Sequence, residues 1–82
     1  MALNIRYFAA LRDAMGRSEQ TLDTLPAATG EALIDWLARQ DPAASALAHP
    51  SVRLIINDAI APRSQPLQDG DTIAFCPPFS GG

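Results

Sequence analysis

The sequence predicts an α+β fold: one mixed β-sheet with a single main helix packed on one face. Three observations carry that expectation. The chain opens on a strand-like alternation, its middle holds a capped amphipathic helix between two prolines, and its second half carries β-branched and alternating runs divided by tight turns. Its 82 residues leave room for one domain, spanning 1–82. Hydrophobic residues make up 48% of the chain, but 15 of them are alanine. Roughly two dozen larger apolar side chains remain, enough for a small core without metal or disulfide staples.

Residues 3–9 set Leu3, Ile5 and Tyr7 against Asn4, Arg6 and Phe8, a period of two that reads as a strand. A polar stretch containing Gly16 follows. Residues 18–23 are short and half polar, with Leu22 as their apolar anchor, and read as the antiparallel partner of the first strand. Pro26 breaks that run. Thr29 is an N-cap residue, and Glu31 falls in the first turn, where the helix dipole favours an anion. Leu33, Trp36, Leu37 and Gln40 recur at helical spacing, so Leu33, Trp36 and Leu37 form the predicted core face, and Pro42 ends the helix near Asp41. Residues 43–48 are alanine-rich and read as a turn or one loose helical turn. Residues 52–56 are a β-branched run and read as a well-buried strand. Asn57-Asp58 is a turn pair, and residues 59–61 return as a short strand. Asp69-Gly70-Asp71 is a second tight turn, which launches a last strand over 72–76 with Ile73 and Phe75 on its inner side. Hairpin, helix, strand, short strand, strand is the β-grasp order of ubiquitin-like proteins.

Composition excludes much. The net charge is −3, and the six cations, Arg6, Arg12, Arg17, Arg39, Arg53 and Arg63, are scattered; there is no lysine. Nucleic-acid binding needs a basic face to displace counterions, and the chain offers none. One cysteine, Cys76, cannot form an internal disulfide, and with the one histidine, His49, it cannot complete a metal site. No apolar run approaches the length that spans a membrane, and no charged-then-apolar signal opens the chain. The expected setting is therefore cytoplasmic.

The chemistry is predicted to lie in an extended tail over 77–82. Pro77 and Pro78 cannot donate to a sheet ladder, so they end the last strand and hold the chain extended. Four residues follow, Phe79, Ser80, Gly81 and Gly82, with a reach of roughly 13 Å. Gly81 and Gly82 carry no Cβ and can thread a channel too narrow for a side chain. The reactive group at the end is the Gly82 α-carboxylate, ionised at neutral pH and a poor electrophile until activated, for example as an acyl-adenylate. Such an arm suits the carriage of an acyl-linked group between two active sites. A terminal Gly-Gly alone is equally compatible with a frayed end. Pro-Pro-x-x-Gly-Gly directly after a core strand of this fold favours function.

Three segments resemble the family of small sulfur-carrier subunits of molybdopterin synthase. They are Tyr7-Phe8-Ala9-Ala10-Leu11-Arg12-Asp13 after the first strand, Leu67-Gln68-Asp69-Gly70-Asp71 before the last, and the ending Ile73-Ala74-Phe75-Cys76-Pro77-Pro78-Phe79-Ser80-Gly81-Gly82. The resemblance implies that an adenylating and sulfur-transferring enzyme uses ATP to form a glycyl adenylate on Gly82. Sulfur then replaces AMP to leave a C-terminal thiocarboxylate, a 1-thioglycine. It further implies insertion of the tail into a large catalytic subunit, in a heterotetramer, where sulfur converts cyclic pyranopterin monophosphate into the dithiolene of molybdopterin. The chain would bind no cofactor and would not be catalytic alone. It departs from the commonest family ending at Cys76, where many members carry an aromatic residue, and at Phe79-Ser80, where they carry small residues. Two other readings stay open: a sulfur carrier of another route such as thiamine thiazole synthesis, and a ubiquitin-like binding module or protein tag.

Strand alternation puts Cys76 beside Phe8 on the helix-free face of the sheet, with Ile60 on that same face. No histidine or lysine is its sequence neighbour to lower the thiol pKa, so a packing role in a partner-facing patch is the expected one. Arg12 and Arg63 are candidates to meet acidic groups on a partner, against the plainer reading of solvated charges. His49 sits in a polar loop and carries no assigned chemistry. Asp69 and Asp71 read as turn residues, because a calcium loop needs more oxygen ligands.

Overall fold

The computed structural model describes residues 2–77. Eight elements follow in order: β1 (Leu3–Tyr7), α1 (Ala10–Met15), β2 (Glu19–Leu22), α2 (Gly30–Gln40), a 3₁₀ segment (Pro42–Ala48), β3 (Arg53–Ile56), β4 (Ala59–Ala61) and β5 (Asp71–Cys76). The strands form one sheet in the order β2-β1-β5-β3-β4. β1 and β5 pair in parallel, with Leu3 opposite Asp71 and Tyr7 opposite Phe75, and the other pairs are antiparallel. The sheet is mixed, with α2 on one face, as the sequence predicts.

The period of two explains the core. Leu3, Ile5 and Tyr7 from β1, Leu54 and Ile56 from β3, and Ile73 and Phe75 from β5 are all buried in one cluster with Leu33, Ile34 and Leu37 of α2. Tyr7 stacks on Phe75 with ring centroids 5.9 Å apart and 12° between planes. Its hydroxyl donates to Gln20 Oε1 at 3.1 Å, so the one polar atom it carries inward is satisfied. The run over 52–56 is half buried rather than wholly so. Val52, Leu54 and Ile56 point into the core, while Arg53 is exposed and Ile55 only partly covered, because α2 shields one face of the sheet alone.

Thr29 caps α2 as predicted, its Oγ1 accepting from Ala32 N–H at 3.2 Å. The helix is rotated from the predicted face. Ile34 is buried beside Leu33 and Leu37, whereas Trp36 lies half-buried at the rim of the core. The polar stretch before Gly16 holds α1, whose Leu11 and Met15, one turn apart, also enter the core. Gly16 ends it in the left-handed region at φ 72°. Asn57 and Asp58, with φ of 51° and 70°, turn β3 into β4 in the two-residue, left-handed hairpin geometry their short polar side chains tolerate.

Backbone and side-chain hydrogen bonds tie the long β4–β5 connection to the rest. The backbone N–H groups of Gly30 and Glu31 donate to the carbonyls of Gln65 at 3.2 Å and Arg63 at 2.8 Å, which satisfies two donors that a helix start leaves open. Arg63 is not a solvated partner-seeking charge. Its guanidinium donates to the carbonyls of Ala48, His49 and Val52 and clamps the loop that leads into β3.

Gly30 is closely packed where α2 meets this connection. A Cβ there would lie 2.5 Å from Leu54 Cδ2 and 3.1 Å from the Arg63 carbonyl oxygen. Gly30→Ala is expected to cost about 1–3 kcal/mol from overpacking, read as a lowered urea midpoint. Burial, aided by Asp41 and opposed by Arg17, pushes the Tyr7 hydroxyl up to about 12 from 10.0. The neutral phenol is thus favoured in the folded chain. This stabilisation is complete below pH 10 and is lost as pH rises through 12. Alkaline unfolding followed by circular dichroism should show the loss across that window, and Tyr7→Phe should flatten it while weakening the fold at neutral pH through the lost Gln20 bond.

Candidate functional site

Residues opposite one another in a sheet ladder share a face, so the register builds the surface that α2 leaves uncovered. One row runs Ile60 (β4), Ile55 (β3), Ala74 (β5), Arg6 (β1), Glu19 (β2). A second pairs Cys76 with Arg53 across β5 and β3. Phe8 follows Tyr7 directly, and its N–H donates to the Phe75 carbonyl at 3.2 Å, which extends the parallel register by one and sets Phe8 beside Cys76. The structure thus brings Phe8, Cys76 and Ile60 onto one face. They form a diagonal apolar stripe across four strands, or roughly 14 Å at about 4.8 Å per spacing.

The stripe is open to solvent: Phe8 is 45% exposed and Ile60 71%. Ile55 and Ala74 bridge them, and the link through Ile55 is not legible in the sequence pattern. Ile55 is concealed in the β-branched run over 52–56, and its partner across the ladder is visible only once register is known. Arg6 and Arg53 edge the stripe with positive charge. Arg12 is exposed on α1, just past Phe8 in the chain.

Pro77 is the last residue described and follows Cys76 out of the sheet. The predicted tail residues Pro78, Phe79, Ser80, Gly81 and Gly82 lie outside the described residues. The tail therefore departs from the end of β5 that Phe8 and Arg53 flank.

The described body offers little chemistry of its own. No group of three or more His, Cys, Asp or Glu side chains is placed to hold a metal among the described residues. Asp71 accepts from Asn57 Nδ2 at 2.9 Å and from Gln68 N–H at 2.8 Å, and Asn57 Oδ1 accepts from Thr72 N–H at 2.9 Å, so these groups brace the two turns. A shallow groove along β4, between Ile60 and Pro66, has Asp71 as its sole ionisable lining residue, already engaged. His49 Nδ1 accepts from Ser51 N–H at 3.1 Å in an exposed loop. Cys76 is partly covered, and burial raises its thiol pKa above the ordinary 9.0.

The sequence pattern of the ThiS family matches residues 5–82. The chain belongs to the ThiS family. Relatives named molybdopterin synthase sulfur carrier subunit align with nearly all of it: one from Chlamydomonas reinhardtii is 31% identical, covering 100% of both chains. Another from Haemophilus influenzae is 36% identical over 98% of this chain and 99% of its own. Solved structures place this ThiS-family chain in the ubiquitin-like fold. Haloferax volcanii SAMP1 superimposes with a TM-score of 0.82 at 24% identity, covering 100% of both chains. A chain of the complex of subunits 1 and 2 of molybdopterin-converting factor from Helicobacter pylori does so at 0.67 and 20%, again with 100% of both.

A raised thiol pKa has a direct readout. Alkylation of Cys76 by iodoacetamide at pH 8 should be slower than that of a cysteine in an unstructured peptide, and its rate should still be climbing above pH 9.0. A plateau at or below pH 8 would mean an activated thiolate instead.

Proposed function

We propose that this chain is the sulfur carrier of molybdenum-cofactor synthesis, working as the small subunit of molybdopterin synthase. The observation that carries the reading is the end-to-end similarity, at 31–36% identity, to three relatives that bear that name. The tail motif ending in Gly81-Gly82 supports it.

In this reading ATP, used by a separate activating enzyme, converts the Gly82 carboxylate to an acyl-adenylate with loss of pyrophosphate. A sulfur nucleophile then displaces AMP, and the product is a C-terminal thiocarboxylate, a 1-thioglycine. Pro77 and Pro78 hold the arm extended, and Phe79, Ser80, Gly81 and Gly82 enter the large catalytic subunit. There sulfur passes to cyclic pyranopterin monophosphate. Phe8, Ile60 and Cys76 form the apolar contact on that partner, with Arg12 beside it, in a heterotetramer. Residues 1–82 act as one carrier domain, in the cytoplasm, with no resident cofactor.

The deciding experiment is mass spectrometry of the chain after incubation with ATP, a sulfide source and an activating enzyme known to load another carrier. Exchange of one terminal oxygen for sulfur gains nearly the mass of an oxidised Met1, Met15 or Cys76, so fragmentation must locate it. The expected result is a gain on Gly82, abolished when one residue is added after it while the fold is kept. Full loading of the extended chain, or a Gly82 that stays a plain carboxylate while the reference carrier loads, overturns the reading. An isopeptide bond from Gly82 to a lysine of another protein would make the chain a tag.

A further inference from the structure

Among the described residues, five have positive φ: Ala9, Gly16, Asn57, Asp58 and Gly70. Four of these are of the types that tolerate it, glycine or a short Asn/Asp side chain. Ala9 is not. Its φ of 52° and ψ of −126° are those of the first central residue of a type II′ turn, a position that favours glycine. The turn is closed by Leu11 N–H donating to the Phe8 carbonyl at 3.1 Å. Holding an L-residue there costs free energy, and such strain persists where the surroundings over-determine it.

The fold gives the methyl group no packing role. Ala9 is exposed and lies outside the core cluster, and no side-chain hydrogen bond caps α1 there. Glycine would close the same turn without strain, and the exposed Cβ is open to a partner. The neighbours indicate which. Phe8 precedes it, 45% exposed and fixed on both sides, its N–H donating to β5 and its carbonyl accepting from α1. Cys76, where the tail leaves the sheet, occupies the adjoining register position.

We infer that the Ala9 methyl is a specificity-determining contact for the subunit that receives the tail, extending the Phe8–Cys76 stripe to the turn before α1. The assignment rests on the carrier reading above. Ala9 and Ala10 are both exposed there, with small apolar side chains, so the matching patch on the large subunit is an apolar hollow beside the mouth of its tail channel. Ala9 makes that contact; it is not placed among groups that react.

The test is the affinity of the full-length chain for the large subunit of molybdopterin synthase, by calorimetry, with the urea midpoint of each variant measured alongside. Ala9→Gly should leave the midpoint unchanged or raise it, because strain is relieved. It should also weaken binding about fourfold, the scale of one methyl withdrawn from an apolar contact. Ala9→Ser, which keeps the Cβ, should bind within about twofold of the unaltered chain. This opposition, stability held or gained while affinity falls, separates a contact from a structural part. Equal affinities for Ala9→Gly and the unaltered chain overturn the assignment alone, as does a lowered midpoint for Ala9→Gly. Failure of the unaltered chain to bind the large subunit overturns the carrier reading and this assignment with it.

Discussion

The parallel pairing of β1 with β5 is the constraint on which the rest depends. Strands 68 positions apart in the chain, as in the Leu3–Asp71 pair, lie side by side at the centre of the sheet. Parallel neighbours need a crossover, and α2 with the 3₁₀ segment supplies it over one face, carrying the chain from β2 at one edge to β3 on the far side of β5. The inner side of this pair carries five of the seven largest fully buried side chains among the described residues, Tyr7, Ile5, Leu3, Ile73 and Phe75. Its outer side joins the two ends of the sequence, so that Phe8 from the start stands beside Cys76 and the root of the tail. A single pairing thus seals the core and assembles the site.

From that arrangement follows a division of labour. The body has no buried charged or polar residue, and no buried side-chain polar atom lacks a partner among the described residues. Its hydrogen-bonding side chains brace turns and connections: Thr29 at the start of α2, Asn57 and Asp71 between the two turns, Arg63 on three carbonyls. Even the one thiol is held toward its protonated, unreactive form. Such a body is a rigid handle whose uncovered face is apolar in the middle and cationic at Arg6 and Arg53. In the proposed function this handle presents the tail to the partner and supplies no chemistry to it.

Where sequence and structure part, the reasons are physical. Leu11 and Met15, spaced by one helical turn, were the only mark of α1, and six residues with no side-chain cap at Ala9 leave a weak local signal. Trp36 and Ile34 sit on opposite flanks of the Leu33–Leu37 line. Periodicity alone cannot say which flank turns inward, and the packing of α2 on the sheet and on the 3₁₀ segment decides it. Arg63 carries no pattern that foretells three carbonyl acceptors, since these come from a loop 11 to 15 residues away. The strain at Ala9 is likewise silent in sequence, because alanine is unremarkable until its φ is known.

By itself the sequence determined the strands, the capped helix, the turns at 57–58 and 69–71, the fold class and the tail motif. Each is written in local periods, in caps and in residues with restricted backbones, over spans of a few positions. Only the tertiary structure decided how Ile55 joins Ile60 to Ala74 and the root of the tail, and which of the arginines is a clamp. Those outcomes depend on register between strands far apart in the chain, where a shift of one residue would send every side chain to the other face.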